Sequence, residues 1–237
     1  MNKQDARELA NRLIPMLEAG RVKQAYKKLS PVLAQKTPFP VLGAIGETVG
    51  PCSFKTLDPF LQYIAEQGSM GGWVVIGTAL GQHLDRGIVG TFSRCRKYVI
   101  QADCWYGADI LGERIPGPAL VIGDFNKALS LLQPWRKDKN RWVRRVIGVA
   151  VHFWAKRSRG IPEMEKQAGQ LVKLLQPMFE EPETDAIKGV GWGLKTLGKF
   201  YPDLLSEWLT DQIIKKRRNP RLLMIRKAST YLGDYNL

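Results

Sequence analysis

The sequence predicts an all-α protein, a HEAT-like helical repeat solenoid that forms a single domain over residues 1–237. Apolar residues recur with helical spacing along most of the chain, and proline or glycine separates the successive periodic stretches. No stretch shows the period-two alternation that is typical of strands. Helical repeats of this kind take about 40 residues each, so about six would fit. An irregular all-α domain is the alternative.

In the first hundred residues, the breakers and caps define the predicted helices. Pro31 ends the second helix, Asp58 caps a helix whose first residue is Pro59, Gly68 closes that helix, and Ser69 caps the next one. The helices predicted from these signals cover residues 4–19, 22–29, 59–67, 70–84 and 85–100.

A helix over 103–114 follows, with Asp103 as its N-cap, and Pro116-Gly117-Pro118 then breaks the chain. Helices resume up to Leu132. Beyond that point the periodicity predicts helices over 141–156, 162–175, 185–200, 202–216 and 220–232. Stacking such helices in pairs would gather charges from successive repeats on one concave surface, so the sequence predicts a basic groove of the width of a DNA duplex.

The charge balance indicates an anionic partner. The chain carries 36 Lys and Arg against 22 Asp and Glu, for a net charge of +14. An excess of this size favours nucleic acid over a membrane surface or an acidic protein, and a generally basic protein is the alternative.

Three widely spaced cysteines and two histidines form neither a disulfide framework nor a metal-ligand pattern, so we expect no metal and no cofactor. The N-terminus lacks the apolar core of a signal peptide, and no apolar run is long enough to cross a membrane. These features fit a reducing cytosol. We expect a monomer in the bacterial cytosol or nucleoid.

One short motif places an aromatic ring beside a carboxylate. In a helix, Trp105 and Asp109 lie one turn apart on the same face. A ring face attracts positive charge through its quadrupole and a carboxylate does so by Coulomb attraction, so the pair could stabilise a cation. A core Trp next to a solvated Asp is the alternative.

Two later helices carry the basic residues. Residues 136–145 hold six cations in ten positions, and on the helix that follows we expect Arg144 and Arg145 to project away from an apolar stripe. Gly148 on that helix would let another group approach the backbone. A short cationic group such as residues 156–159, taken by itself, is typical of a solvated helix end.

The helix predicted over 185–200 has two stripes. Lys188, Trp192, Lys195 and Lys199 follow one another with helical spacing on a face separate from the apolar one. Lysines that meet phosphates and an indole that packs on sugar would suit a nucleic-acid backbone; packing of Trp192 against a neighbouring helix is an equal alternative. Four glycines interrupt this helix, each at a cost of about 1 kcal/mol relative to Ala, which indicates close approach by another helix or by a ligand.

Taken together and in order, these blocks resemble the AlkD-type DNA alkylation-repair glycosylases. The similar blocks are Trp105-x-x-x-Asp109, RWVRR at 141–145 and KGVGWGLK at 188–195. The resemblance covers most of the chain from the first block onward. It implies a HEAT-like solenoid whose concave basic face holds duplex DNA.

The resemblance also implies the activity: a monofunctional glycosylase that hydrolyses the N-glycosidic bond of cationic alkylated purines such as N3-methyladenine and N7-methylguanine, bulkier adducts included, without a base-flipping pocket. Asp109 would be the catalytic carboxylate, with Trp105 and Trp192 packing on the sugar. Arg145 would contact DNA, as would Arg144, Lys188, Lys195 and Lys199. A catalytically silent HEAT-repeat protein that binds damaged or branched DNA is the main alternative, and a protein–protein scaffold is another.

Overall fold

The computed structural model describes residues 1–233, and every regular element in that range is helical. The predicted all-α class is therefore confirmed. The chain divides into two compact units, unit 1 (Met1–Ile115) and unit 2 (Pro116–Leu237). The assignment of residues 1–237 to a single domain stays a prediction. Within residues 1–233, no helix is both long enough and apolar enough to cross a bilayer.

Unit 1 is built around one strongly apolar helix. Its elements are α1 (Lys3–Glu18), α2 (Val22–Ala34), α3 (Phe39–Val49), α4 (Phe54–Glu66), α5 (Met70–Gly81), α6 (Leu84–Ala102) and α7 (Trp105–Arg114). Helix α5 packs against α3, α6 and α7, and it buries Trp73, Val75 and Ile76 almost completely. As predicted, Ser69 caps α5, its hydroxyl accepting a bond from the Gly72 amide.

Two predicted helix boundaries in unit 1 are wrong, because in each case the helix contains a proline in its interior. Pro31 lies within α2, where the Ser30 hydroxyl donates to the Lys27 carbonyl that a non-proline residue 31 would have bonded. Pro59 lies within α4, which begins earlier with Ser53 as its N-cap.

Asp58 is therefore not a helix cap. Its two carboxylate oxygens accept bonds of 2.7 and 2.6 Å from the Arg94 guanidinium, joining α4 to α6. The Phe54 ring lies between that guanidinium and the His83 imidazole, with centroid distances of 3.7 and 4.0 Å. These contacts explain the use of an Asp at this position without any capping role.

Unit 2 is built around a pair of long helices. Its elements are α8 (Pro116–Ile122), α9 (Phe125–Leu132), α10 (Arg141–Ser158), α11 (Glu165–Leu175), α12 (Thr184–Phe200), α13 (Pro202–Thr210) and α14 (Leu222–Ala228). Helices α10 and α12 form the most extensive helix–helix contact of the unit, and α14 packs on the other side of α12. The side chains of Trp154, Val190 and Leu194 are almost fully buried here.

Glycines let α10 and α12 touch through their backbones. A Cβ atom on Gly148 would overlap the Gly189 carbonyl, and one on Gly189 would lie 2.5 Å from the Arg145 carbonyl oxygen. Gly193 meets the backbone of Gly148 in the same way, at 2.8 Å. The sequence left open whether a helix or a ligand approaches the glycines of α12. At Gly189 and Gly193 the group that approaches is helix α10.

The last two elements differ from their predicted lengths. Helix α13 ends at Thr210 and continues as a short π-helical turn over Asp211–Lys215. Helix α14 is confined to Leu222–Ala228. Arg221 before it has an extended backbone, and its side chain donates to the Pro182 carbonyl at 2.7 Å.

Candidate nucleic-acid interface

Helix α7 of unit 1 presents an aromatic side chain to solvent. Trp105 is its first residue and is 57% exposed, and the half-buried Asp109 follows one turn later on the same face. The Trp105 side chain therefore leaves a large aromatic surface open to solvent, where a ligand could pack on it. The alternative that Trp105 belongs to the core is wrong.

A tight junction with α6 fixes the start of α7. Asp103 adopts a left-handed conformation with φ of 42° and closes α6, so the predicted N-cap role is wrong and Cys104 occupies that position. Asp is one of the few residues that enter this conformation at low cost. At Gly107, an added Cβ would lie 2.6 Å from the Ala102 Cβ, so only glycine lets α7 lie this close to α6.

In unit 2, Trp192 is held on one side by a histidine. The His152 ring of α10 stacks on the Trp192 ring with centroids 3.8 Å apart and an angle of 24° between planes. The Thr196 hydroxyl donates to the Trp192 carbonyl at 2.9 Å and lies 2.7 Å from His152 Nδ1. Because the Thr196 hydroxyl donates its one hydrogen to that carbonyl, it acts as the acceptor towards His152. The neutral His152 ring therefore carries its hydrogen on Nδ1.

His152 acts here as a neutral platform. Burial, followed by the nearby charge of Lys156, lowers the pKa of His152 from 6.5 to about 4. The imidazole is consequently uncharged at neutral pH and does not offer a positive charge to a phosphate. Its contribution is to fix the orientation of the indole. Trp192 thus packs on a neighbouring helix, as one sequence interpretation expected.

The Trp192 side chain also lines an open basic pocket, as the other interpretation requires. The cavity has a volume of about 400 Å³. Its lining contains four cationic side chains and no carboxylate; the residues are His152, Lys156, Arg159, Trp192, Lys195, Thr196, Lys199, Phe200 and Tyr231. The ammonium groups of Lys195 and Lys199 lie 5.3 and 5.5 Å from the Tyr231 ring centroid. The pocket is suited to an anionic ligand that also offers a surface for stacking.

The two arginines of α10 do not project away from the core as predicted. Arg144 forms a paired bond with Glu181, with N–O distances of 2.8 and 2.9 Å, and both side chains are largely buried. This carboxylate raises the pKa of Arg144. Arg145 is only 7% exposed and donates to the Asp185 carbonyl at 3.0 Å. Helix α12 covers Arg145, and Glu181 in the segment before α12 holds Arg144.

Of the predicted site residues, the structure brings Trp192, Lys195 and Lys199 together in one pocket. Lys188 is exposed further towards the start of α12, and Trp105 and Asp109 belong to unit 1. In residues 1–233, no group of three His, Cys, Asp or Glu side chains is placed to hold a metal ion.

The sequence interpretation missed the part of the pocket contributed by other elements. Lys156 and Arg159 come from the end of α10, Tyr231 follows α14, and His152 reaches the pocket only because α10 crosses α12. The helical period alone does not indicate which helices are neighbours, so no sequence signal would have joined them.

Comparison with known families decides the wider identity. A family model described as DNA alkylation repair enzyme matches residues 76–232. The chain belongs to the DNA alkylation repair enzyme family. The match includes α7 with Trp105 and Asp109, and it includes α10 and α12 in full. No curated protein matches this repair-family chain in a sequence search.

A solved structure supports the fold of this family member. The chain is similar to the Pseudomonas fluorescens alkylpurine DNA glycosylase AlkC bound to DNA containing an abasic site analog, with a TM-score of 0.61 and 16% identity. The likeness covers 97% of this chain and 61% of the AlkC chain, so this chain spans less than two thirds of the length of that structure. The predicted helical-repeat fold is confirmed by this likeness.

Proposed function

We propose that this family member is a monofunctional DNA glycosylase of the AlkD type that releases cationic alkylated purines, such as N3-methyladenine and N7-methylguanine, from duplex DNA. The observation that carries the proposal is the exposed Trp105 one turn before Asp109 on α7, in a chain of the DNA alkylation repair enzyme family. The basic Trp192 pocket of unit 2 supports the choice of DNA as partner.

The chemistry follows from the charge of the lesion. An alkylated purine already carries positive charge, so when the C1′–N bond breaks, the base leaves with the bonding electron pair as a neutral molecule. Positive charge then develops on the deoxyribose. In our proposal Asp109 stabilises this charge and accepts a proton from the water that attacks C1′, and the indoles of Trp105 and Trp192 offer their electron-rich faces to the sugar.

No base pocket is needed for this mechanism. If recognition depends on the sugar and backbone, the enzyme accepts bulky alkyl adducts and ignores damaged bases that are neutral. We further propose that the basic face lies in a concave groove for the duplex, and that Lys188, Lys195 and Lys199 meet its phosphates.

The two arginines of α10 take a different place in this proposal. The geometry favours a supporting role for Arg144, because its guanidinium is already engaged by Glu181. Direct contact of Arg145 with DNA stays a prediction. From its largely buried position, its charge would still add to the positive potential along α12.

The test is release of free bases from methylated duplex DNA, detected by mass analysis. The Asp109→Asn variant keeps the size of the side chain but removes its charge, so we expect its release rate to fall by on the order of 100-fold or more. Glu113→Gln is the matched control, because it removes a carboxylate one turn further along the same helix. It should retain normal release.

Two outcomes would contradict the proposal. Undiminished release by Asp109→Asn would exclude Asp109 as the catalytic carboxylate. Tight binding of duplex without base release by the unmodified chain would favour a catalytically silent DNA-binding protein, which the basic pocket alone would also support.

A further inference from the structure

Lys227 of α14 crosses α12 at a glycine. An added Cβ on Gly191 would lie 2.8 Å from Lys227 Cβ and 2.6 Å from its Cδ, so the aliphatic stem of the lysine rests directly on the backbone at Gly191. Gly191 is the residue before Trp192. The lack of a side chain at position 191 therefore determines where the Lys227 stem lies, on the surface of α12 next to the tryptophan.

The position of Lys227 is electrostatically unfavourable in the absence of a ligand. Burial, and then the charges of Lys195, Arg145 and Lys188, lower its pKa. Within residues 1–233, no carboxylate forms an ion pair with Lys188, Lys195 or Lys227. The Lys227 ammonium thus lies within the repulsive range of the Lys195 and Lys188 charges.

An anion bound among these lysines would relieve the repulsion. Lys188, Gly191, Trp192 and Lys195 follow one another along one face of α12, so the Lys227 stem crosses that face between the two other lysines. A phosphodiester suits three separate ammonium groups, because each acts as a point charge and none requires the planar paired geometry of a carboxylate.

We propose that Lys227, Lys188 and Lys195 bind one backbone phosphate of DNA, and that this phosphate sets the register of the strand so that the adjoining sugar meets Trp192. The choice of DNA rests on the proposed function. The assignment adds Lys227 of α14 to the stripe of lysines and Trp192 that the sequence predicts on α12. It also gives Gly191 a role in positioning Lys227, beyond helix packing.

The test measures binding of the full chain to an undamaged duplex by fluorescence anisotropy over a series of salt concentrations. Lys227→Met keeps the stem over Gly191 but removes the charge, so the slope of log affinity against log salt should become shallower by about 0.9. Lys227→Arg should restore the slope. Arg226→Met is the matched control: it removes one exposed cation from the same helix and should leave the slope unchanged.

A second variant tests the same contact without a change of charge. Gly191→Ala places a methyl group against the Lys227 stem and should displace the Lys227 ammonium. The slope of log affinity against log salt should therefore become shallower, as in Lys227→Met. In a chain that already carries Lys227→Met, the Gly191→Ala change should have no further effect on the slope.

Two results would overturn the inference: equal slopes for Lys227→Met, Arg226→Met and the unmodified chain, or equal reductions in both variants. A third result would overturn the assignment to a DNA strand. If inorganic phosphate competes with duplex better than chloride does at the same ionic strength, and Lys227→Met removes this advantage, the lysines form a site for a free anion. Base release is measured separately, so a chain that shows the predicted slopes but frees no purine would contradict the glycosylase proposal alone.

Discussion

Among single side chains, the stack of His152 on Trp192 is the contact on which the geometry of the basic pocket depends. The imidazole covers one face of the indole and is held by Thr196, whose hydroxyl donates a hydrogen bond to the Trp192 carbonyl. The arrangement leaves the indole with one defined orientation beside the lysines. It also buries an imidazole that acid will tend to protonate.

The buried imidazole predicts a pH dependence of stability. The folded-state pKa of His152 is about 4 and its ordinary value is 6.5, so between these values the unfolded state binds more protons. Lowering the pH from 6.5 to 4 should therefore reduce the free energy of unfolding by roughly 3 kcal/mol through this residue. Urea unfolding at a series of pH values measures the loss.

His152→Phe supplies the comparison, because it retains an aromatic platform for Trp192 and has no titrating group. Its free energy of unfolding should fall less steeply over the same pH range. Parallel curves for the unmodified chain and the variant would contradict the assignment. The other histidine, His83, is present in both proteins, and the lowering of its pKa by burial affects both curves alike.

At the level of helices, the contact between α10 and α12 places the functional residues of unit 2. Backbone meets backbone at Gly148, Gly189 and Gly193, and this closeness brings His152 onto Trp192. It also explains why Arg145 is buried. Glycine inside a helix is unfavourable by about 1 kcal/mol relative to Ala. The fold accepts that cost at several positions because a Cβ would force the two helices apart.

A methyl group at the crossing should therefore be destabilising. Gly148→Ala would overlap the Gly189 carbonyl, which is backbone and cannot rotate away, so we expect a loss of roughly 3 kcal/mol in the free energy of unfolding. Gly169→Ala on α11 is the matched control, because nothing lies within 4 Å of the added Cβ.

The control should instead gain about 0.5–1 kcal/mol, since alanine is the better helix former. Denaturant midpoints of the two variants measure both effects in one experiment. A stable Gly148→Ala protein with unchanged base release would show that α10 and α12 need not touch at this point.

At the level of the whole molecule, the net charge of +14 makes an electrostatic prediction. If several lysines meet phosphates, the logarithm of duplex affinity should fall with the logarithm of salt concentration with a slope of about −3 or steeper. The slope should be the same for damaged and undamaged duplex, because both carry the same phosphates. A salt titration of binding checks this.

A flat salt dependence together with weak affinity would favour the remaining alternative, a protein–protein scaffold. An acidic duplex mimic such as heparin provides a control for general attraction between opposite charges. If duplex and heparin give equal slopes and equal affinities, the chain does not recognise DNA as such.

Much of the helical architecture could be predicted from local signals. Ser69 and Gly68 mark a helix start and a helix end correctly, because capping and positive φ are properties of a few adjacent residues. Pro31 and Pro59 misled the same reasoning. A proline inside a helix is tolerated when another donor satisfies the carbonyl that loses its hydrogen bond, as the Ser30 hydroxyl does for the Lys27 carbonyl, and a rule that treats every proline as a helix breaker does not take that donor into account.

The candidate site likewise combines features that are local in the sequence with contacts that are not. The sequence by itself determined the helical class, the excess of positive charge and the spacing of Trp105 with Asp109 and of Trp192 with its lysines, because each depends on composition or on one helical period. Only the tertiary structure decided that Arg144 serves Glu181, that His152 supports Trp192, and that Lys227 lies across Gly191. Each of these contacts joins residues that are distant in the sequence, and which elements pack together depends on the burial of the whole core.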